Sequence, residues 1–220
     1  MNKNNNKKNL IISLILILFA ITFVFFVKNI DIQAIGVNNT YIGFATLNQF
    51  IFNVIGVNIL WYHITDWLGI IPIFMSFIYA IIGFYQLIKR KSLLKVDKEI
   101  LSLGVFYVVL ILIYIFFEKV IVNYRPILMN GFLEASFPSS HTLMAVCLCG
   151  SSIMVNKKLF KNKLSKFSNI LSLIIIIITI LGRLISGVHW FTDILGGIII
   201  SLALLMTFYS ILQIINKGKN

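Results

Sequence analysis

The stretch GRLISGVHWFTD, Gly182 to Asp193, lies between two long apolar runs and decides how the chain is read. It places Arg183, His189 and Asp193 in a region with almost no other ionisable groups. Charged side chains at a membrane boundary are costly and mark functional positions. On a helix, His189 and Asp193 would be four residues apart on one face. A carboxylate so placed fixes the tautomer of an imidazole and stabilises its cation, while a nearby guanidinium grips an anion. Nucleophilic attack by histidine on phosphorus needs this equipment.

The rest of the chain supplies the setting. Its 220 residues are 59% hydrophobic and only 12% charged, a composition that excludes an ordinary soluble domain. About 20 apolar residues cross a bilayer, and six spans are read at 10–28, 69–88, 100–117, 141–156, 169–187 and 190–214. The expected fold is therefore all-α: a single membrane domain over 1–220, built as a bundle of six transmembrane helices. An extra interfacial or re-entrant helical segment is expected near 43–59, with Trp61, Tyr62 and Trp67 at headgroup level. The first span follows a lysine-rich start without a convincing cleavage site, so it reads as an uncleaved span.

The net charge of +12 raises the question of nucleic acid, but its distribution answers it. With the N-terminus inside, fifteen of the nineteen cations fall on the cytoplasmic side: Lys3 to Lys8, Lys89 to Lys98, Lys157 to Lys166, Lys217 and Lys219. Lys28, Lys119, Arg125 and Arg183 remain for the other side. That is the positive-inside bias of a multi-pass protein with cytoplasmic tails at 1–9 and 215–220. No nucleic-acid partner is expected, and the basic loops suit anionic headgroups. Cys147 and Cys149 point to different helix faces and read as packing residues.

Counting spans brings three outer segments to one side of the membrane. The segment 118–140, EKVIVNYRPILMNGFLEASFPSS, carries Arg125-Pro126 and then Pro138-Ser139-Ser140 just before His141. The turn 182–193 joins it there. Two guanidiniums can clamp phosphate oxygens in bidentate fashion. A Pro-Ser-Ser helix start offers free backbone N–H groups and a positive dipole end. His189 can serve as nucleophile with Asp193 orienting it, and His141 can protonate the leaving alkoxide and then activate water. Asp66 and Glu134 read as solvated loop charges, with Glu134 at most shaping a pocket entrance. His63 reads as an interfacial polar contact.

These residues resemble the type 2 phosphatidic acid phosphatase superfamily, which includes the vanadium haloperoxidases. That family carries Lys-x6-Arg-Pro, Pro-Ser-Gly-His and Ser-Arg-x5-His-x3-Asp in order. Here the third motif reads Gly182-Arg183, five residues, His189, three residues, Asp193; the second reads Pro138-Ser139-Ser140-His141; the first ends in Arg125-Pro126. The signature covers 118–193. The resemblance implies a metal-free, cofactor-free phosphohistidine mechanism. It assigns phosphate binding to Arg125, Ser139, Arg183 and the backbone N–H of Ser140, with His141 as acid, His189 as nucleophile and Asp193 as its partner.

One departure matters. Six residues before Arg125 stands Glu118, where the family has lysine, and Lys119 lies one position later. Three readings stay open: Lys119 displaced but binding phosphate, a site working with fewer cations, or a weakly active chain.

The activity implied is that of a lipid phosphatase in the plasma membrane, its site facing the extracytoplasmic side. The substrate would be a lipid mono- or diphosphate such as undecaprenyl diphosphate, phosphatidic acid or phosphatidylglycerol phosphate. The alternative is a non-catalytic membrane protein that binds lipid phosphate. The oligomeric state is not legible.

Overall fold

A computed structural model describes residues 3–160 and 162–216. Among them run eight helices: α1 Lys3–Asn29, α2 Ala45–Ile55, α3 Ile59–Leu68, α4 Ile70–Arg90, α5 Lys98–Lys119, α6 Ser140–Leu159, α7 Asn162–Ser186 and α8 Phe191–Asn216. The protein is all-helical in these residues; only isolated bridges, such as Gln33 with Ile42 and Tyr124 with Ala135, fold the segments between helices. The expectations for Lys161, Lys217, Lys219 and the extreme tails lie outside the described residues.

Five helical segments are long and apolar enough to cross a membrane: α1, α3 with α4, α5, α7 and α8. Their outward side chains are apolar, among them Phe19 and Phe25 on α1, Phe77 and Phe84 on α4, and Leu112 on α5. Such a surface suits lipid tails, because each helix satisfies its own backbone groups.

The sixth expected span, α6, has a different character. It packs against α4, α5, α7 and α8. Its Cys147, Cys149, Ser151, Ser152 and Asn156 are all buried. An enclosed helix meets neighbours rather than lipid, so it uses small and polar residues to let backbones approach. Asn156 accepts from the Tyr79 hydroxyl at 2.5 Å and donates to Asn169 at 2.8 Å. The apolar core runs beside it, from Leu103, Phe106 and Leu110 of α5 to Phe208 of α8, with the Phe106 and Phe208 rings 4.8 Å apart.

Several boundaries differ from the sequence reading. The second span begins near Ile59 rather than 69, because Gly69 keeps a right-handed helical backbone and α3 runs into α4. Trp61 and Tyr62 are correspondingly half-buried against α7, whereas Trp67 stays exposed. Hydropathy missed this because Tyr62, His63, Thr65 and Asp66 interrupt the apolar run of α3. The extra segment is shorter than 43–59: α2 spans Ala45–Ile55 only. The link between α6 and α7 is also tighter than expected, since α7 begins at Asn162.

At the end of the bundle where α4 meets α5, Arg90 pairs with Asp97 at 2.7 Å, and Lys158 bridges Glu99 and Asn216. At the other end, α2 is pinned to the start of α8. Fully buried Asn48 accepts from the Thr192 N–H at 3.1 Å and donates to the Thr192 hydroxyl at 2.9 Å and the Gly43 carbonyl at 2.8 Å. Asn48→Ala strands the Thr192 N–H and is expected to lower the unfolding free energy by about 2–3 kcal/mol. Reversible unfolding in mixed detergent checks this, and a change under roughly 0.5 kcal/mol would refute the pin.

Candidate active site

The turn between α7 and α8 is built by one glycine and one carboxylate. Gly187 takes φ 66, and its missing Cβ leaves room for the Gly56 carbonyl, which a side chain would strike. The chain then passes Val188 and His189 to Trp190, the residue that caps α8. The Trp190 N–H donates to Asp193 Oδ2 at 2.9 Å, one half of a capping box. The other oxygen of Asp193 accepts from Asn123 Nδ2 at 3.2 Å. The carbonyl of Asp193 accepts the Ser139 N–H at 2.9 Å, which joins the starts of α6 and α8.

His189 therefore precedes the helix and does not share a helical face with Asp193; helix formation starts two residues too late for that. Its Nδ1 lies 3.1 Å from the Ser136 carbonyl and 3.9 Å from Asp193 Oδ2. A carbonyl only accepts, so Nδ1 carries the proton and Nε2 carries the lone pair, an assignment made from the network. Nε2 sits 3.4 Å from Arg125 Nη1. Burial holds the His189 pKa well below the ordinary histidine value, and the positive charges of Arg125 and Arg183, with His141, add to this. The ring is thus a neutral imidazole with its nucleophilic nitrogen beside a guanidinium.

Arg125 is almost fully buried on the loop before α6. Its Nη1 donates to the Val188 carbonyl at 3.4 Å, and Glu134 Oε2 lies 3.0 Å from its Nε. Glu134 is therefore an exposed charge that also serves as an ion-pair partner. Ser139 precedes α6 with its N–H already given to Asp193, so the free first-turn donors begin at Ser140. The Ser139 hydroxyl accepts from Thr142 at 3.1 Å.

Arg183 is fully enclosed near the end of α7. The face of Tyr62 covers it at 4.9 Å, and its Nη2 donates to Asp66 Oδ1 at 3.2 Å. Its Nε and Nη1 have no protein partner. The same Asp66 oxygen lies 2.9 Å from His141 Nε2, while His141 Nδ1 is buried and without a partner. Asp66 is exposed, as expected, but it is also paired: α3 belongs to the bundle and carries it to two other helices.

Two neighbouring cavities are lined by Arg125, Ser140, His141 and His189, whereas Ser139, Arg183 and Asp193 are fully buried and line neither. One of about 240 Å³ lies among α4, α5 and α6, lined by Asp66, Ile70, Ile73, Tyr114, His141 and Met144. A narrower one is lined by Glu118, Arg125, Ser136, Pro138 and His189. Tyr114 and Ser140 line both, so the cavity of His141 and the cavity of His189 meet at these two residues. Lys119 lines neither and is exposed, because a regular α5 turns it about 100° from Glu118. Among the described residues no group of three or more His, Cys, Asp or Glu side chains is arranged to hold a metal ion.

The arrangement suits a tetrahedral anion: unpartnered guanidinium donors, a helix start and two imidazoles. A family model for the PAP2 superfamily matches residues 106–217. The chain belongs to the PAP2 superfamily. The fold is also that of a PAP2-type phosphatidylglycerolphosphate phosphatase from Bacillus subtilis, a transmembrane protein whose crystal structure is known. The two share 22% identity with a TM-score of 0.59, over 94% of this chain and 97% of that one. No curated protein matches the sequence.

Asp66 and Asn123 were not read from the sequence as site residues. Both act across more than sixty positions, and neither falls in a local motif; only a three-dimensional neighbour identifies them. The placement of Glu118 gives a direct test. Glu118→Lys should tighten equilibrium binding of orthovanadate by purified protein about tenfold at low ionic strength, with the gain shrinking in salt. Lys119→Ala should leave binding within about twofold. The reverse ranking would contradict this geometry.

Proposed function

We propose that the protein is a lipid phosphatase of the plasma membrane, with α6 as the sixth span of one membrane domain. The site would face the extracytoplasmic side and both termini the cytoplasm, as the positive-inside bias favours. The observation that carries the reading is a neutral, buried His189 whose Nε2 lies 3.4 Å from Arg125 Nη1, both lining one cavity, with His141 lining the cavity next to it.

The mechanism follows from the tautomers. Nε2 of His189 attacks phosphorus in line as the ester oxygen leaves, and a phosphorus–nitrogen bond replaces the phosphorus–oxygen bond. The imidazole becomes cationic, and Asp193 and the Ser136 carbonyl stabilise it through Nδ1–H. His141 gives a proton to the departing oxygen from Nδ1. In the second step His141 takes a proton from water, which cleaves the phosphorus–nitrogen bond and frees phosphate. Arg125, Arg183, the Ser139 hydroxyl and the first-turn N–H of Ser140 hold the peripheral oxygens.

The apolar wall formed by Ile70, Ile73 and Met144 favours a substrate whose tail lies between α4 and α5. A terminal phosphate or diphosphate at headgroup depth fits: phosphatidic acid, phosphatidylglycerol phosphate and undecaprenyl diphosphate all present one. Glu118 at the mouth of the phosphate site favours the second reading, a non-catalytic lipid-phosphate binder. Phosphate release from short-chain lipid phosphates in detergent separates the two. The wild type should turn over, and His189→Ala should lose at least about a thousandfold; equal inactivity of both would establish the binder.

The pH dependence is a further test. A lowered His189 pKa keeps the nitrogen unprotonated into more acidic solution, so the acid limb shifts down. The profile of kcat/KM, which reports the free enzyme, should fall only below about pH 6.5. A limb at or above that value would mean that His189 is not held neutral.

A further inference from the structure

Asp66 lies outside the segment that the family model matches, on a helix whose local sequence reads as surface. Yet one of its oxygens reaches two groups of the proposed mechanism, His141 Nε2 at 2.9 Å and Arg183 Nη2 at 3.2 Å. Two close approaches place it there. Gly182 replaces the serine of the family motif, and a Cβ at that position would strike the Thr65 methyl and come within 3.0 Å of the Trp61 ring. Gly69 lies so near α6 that its Cβ would stand 3.3 Å from His141 Cδ2. The absence of both side chains lets α3 settle onto α7 and α6 together.

We propose that Asp66 is a positioning residue for leaving-group protonation, holding His141 by Nε2 so that Nδ1 delivers the proton. The inference rests on the reading of His141 as the acid. A carboxylate accepts at Nε2, so in the imidazolium both nitrogens are protonated: Nε2–H is given to Asp66, and Nδ1–H is the only proton free to leave. Nδ1 is the nitrogen that has no protein partner. Proton loss from Nδ1 leaves a neutral ring whose Nε2–H still binds Asp66, so the ring need not turn between the acid and base steps. The other charged or titratable groups around His141 are Arg183 on α7, Arg125 on the loop before α6, Tyr114 on α5 and His189 before α8. Asp66 is the carboxylate directly bonded to the ring, and it stands against the two guanidiniums.

The chemistry separates this role from a merely structural one. A phenolate with a nitro group leaves without a proton, whereas a glycerol alkoxide does not. Asp66→Asn keeps an oxygen for Arg183 but removes the charge that supports the imidazolium. Because the phosphohistidine is hydrolysed in the same second step whatever the substrate, the split is read in kcat/KM, which reports the first phosphoryl transfer. Asp66→Asn should lower kcat/KM on dioctanoyl phosphatidic acid about a hundredfold and kcat/KM on p-nitrophenyl phosphate by less than about threefold. His141→Ala should show the same split, and the double variant should be no slower than His141→Ala alone. If the asparagine variant does not fold, Asp66→Ser carries the same readouts. Equal losses on both substrates, or a double variant about tenfold slower than His141→Ala, would overturn the proposal. A wild type that releases phosphate from neither substrate would overturn the phosphatase reading first, and this inference with it.

Discussion

A guanidinium enclosed among membrane helices governs this structure. Arg183 is fully buried, and a buried charge left without a partner costs several kcal/mol. Its counter-charge cannot come from α7, which carries no acid near it. It comes from α3, a hundred and seventeen positions away, with the ring of Tyr62 from the same helix closing the other side. The bundle is arranged around that need. Gly182 clears the contact, α3 packs inward and fuses with α4, and the second span is longer than hydropathy alone suggests.

The other end of the site is held by neutral hydrogen bonds. Asn123 joins Asp193 to the Gly43 N–H, and Asn48 joins α2 to the first turn of α8. Both asparagines are buried, and their donors and acceptors are engaged with buried partners. The segment between α1 and α3 is thus a clamp on the α8 start and on Asp193. Rigid support of this kind fixes a nucleophile within the few tenths of an ångström that in-line attack requires.

The helical, membrane-borne architecture and the superfamily were legible in the sequence, because long apolar runs and a spaced motif are local signals. The convergence of 118–140 and 182–193 followed from counting spans. What escaped was the partnership of elements far apart in sequence. Asp66 sits in WYHITDWLG, whose aromatic character suggests an interface, and nothing local says that its carboxylate meets α6 and α7. Lys119 was attractive because it is a cation near the family's lysine, but helix phase turns it outward and leaves Glu118 at the cavity. Ser139 was read as a free donor, and its N–H is taken by a carbonyl on α8. Hydropathy reports how deep a segment sits, not which of its faces meets another helix.

Charge balance around the hollow bears on how a phosphatase of this composition would work. Arg125 faces Glu134, Arg183 faces Asp66, Glu118 lines the mouth, and His189 is neutral. The two guanidiniums are therefore opposed by three carboxylates, and the resting site offers a dianion little net attraction. Its attraction is directional instead: unpartnered N–H groups at fixed angles, effective where charge develops on phosphorus. For the proposed lipid phosphate, ground-state affinity would come mainly from the apolar cavity beside His141, at about 25 cal/mol per Å² of tail surface removed from water. A lipid phosphate brings such a tail and free phosphate does not. In the proposed phosphatase, the missing lysine, which would hold both alike, would separate substrate from product and let the phosphate leave once the ester bond is cut.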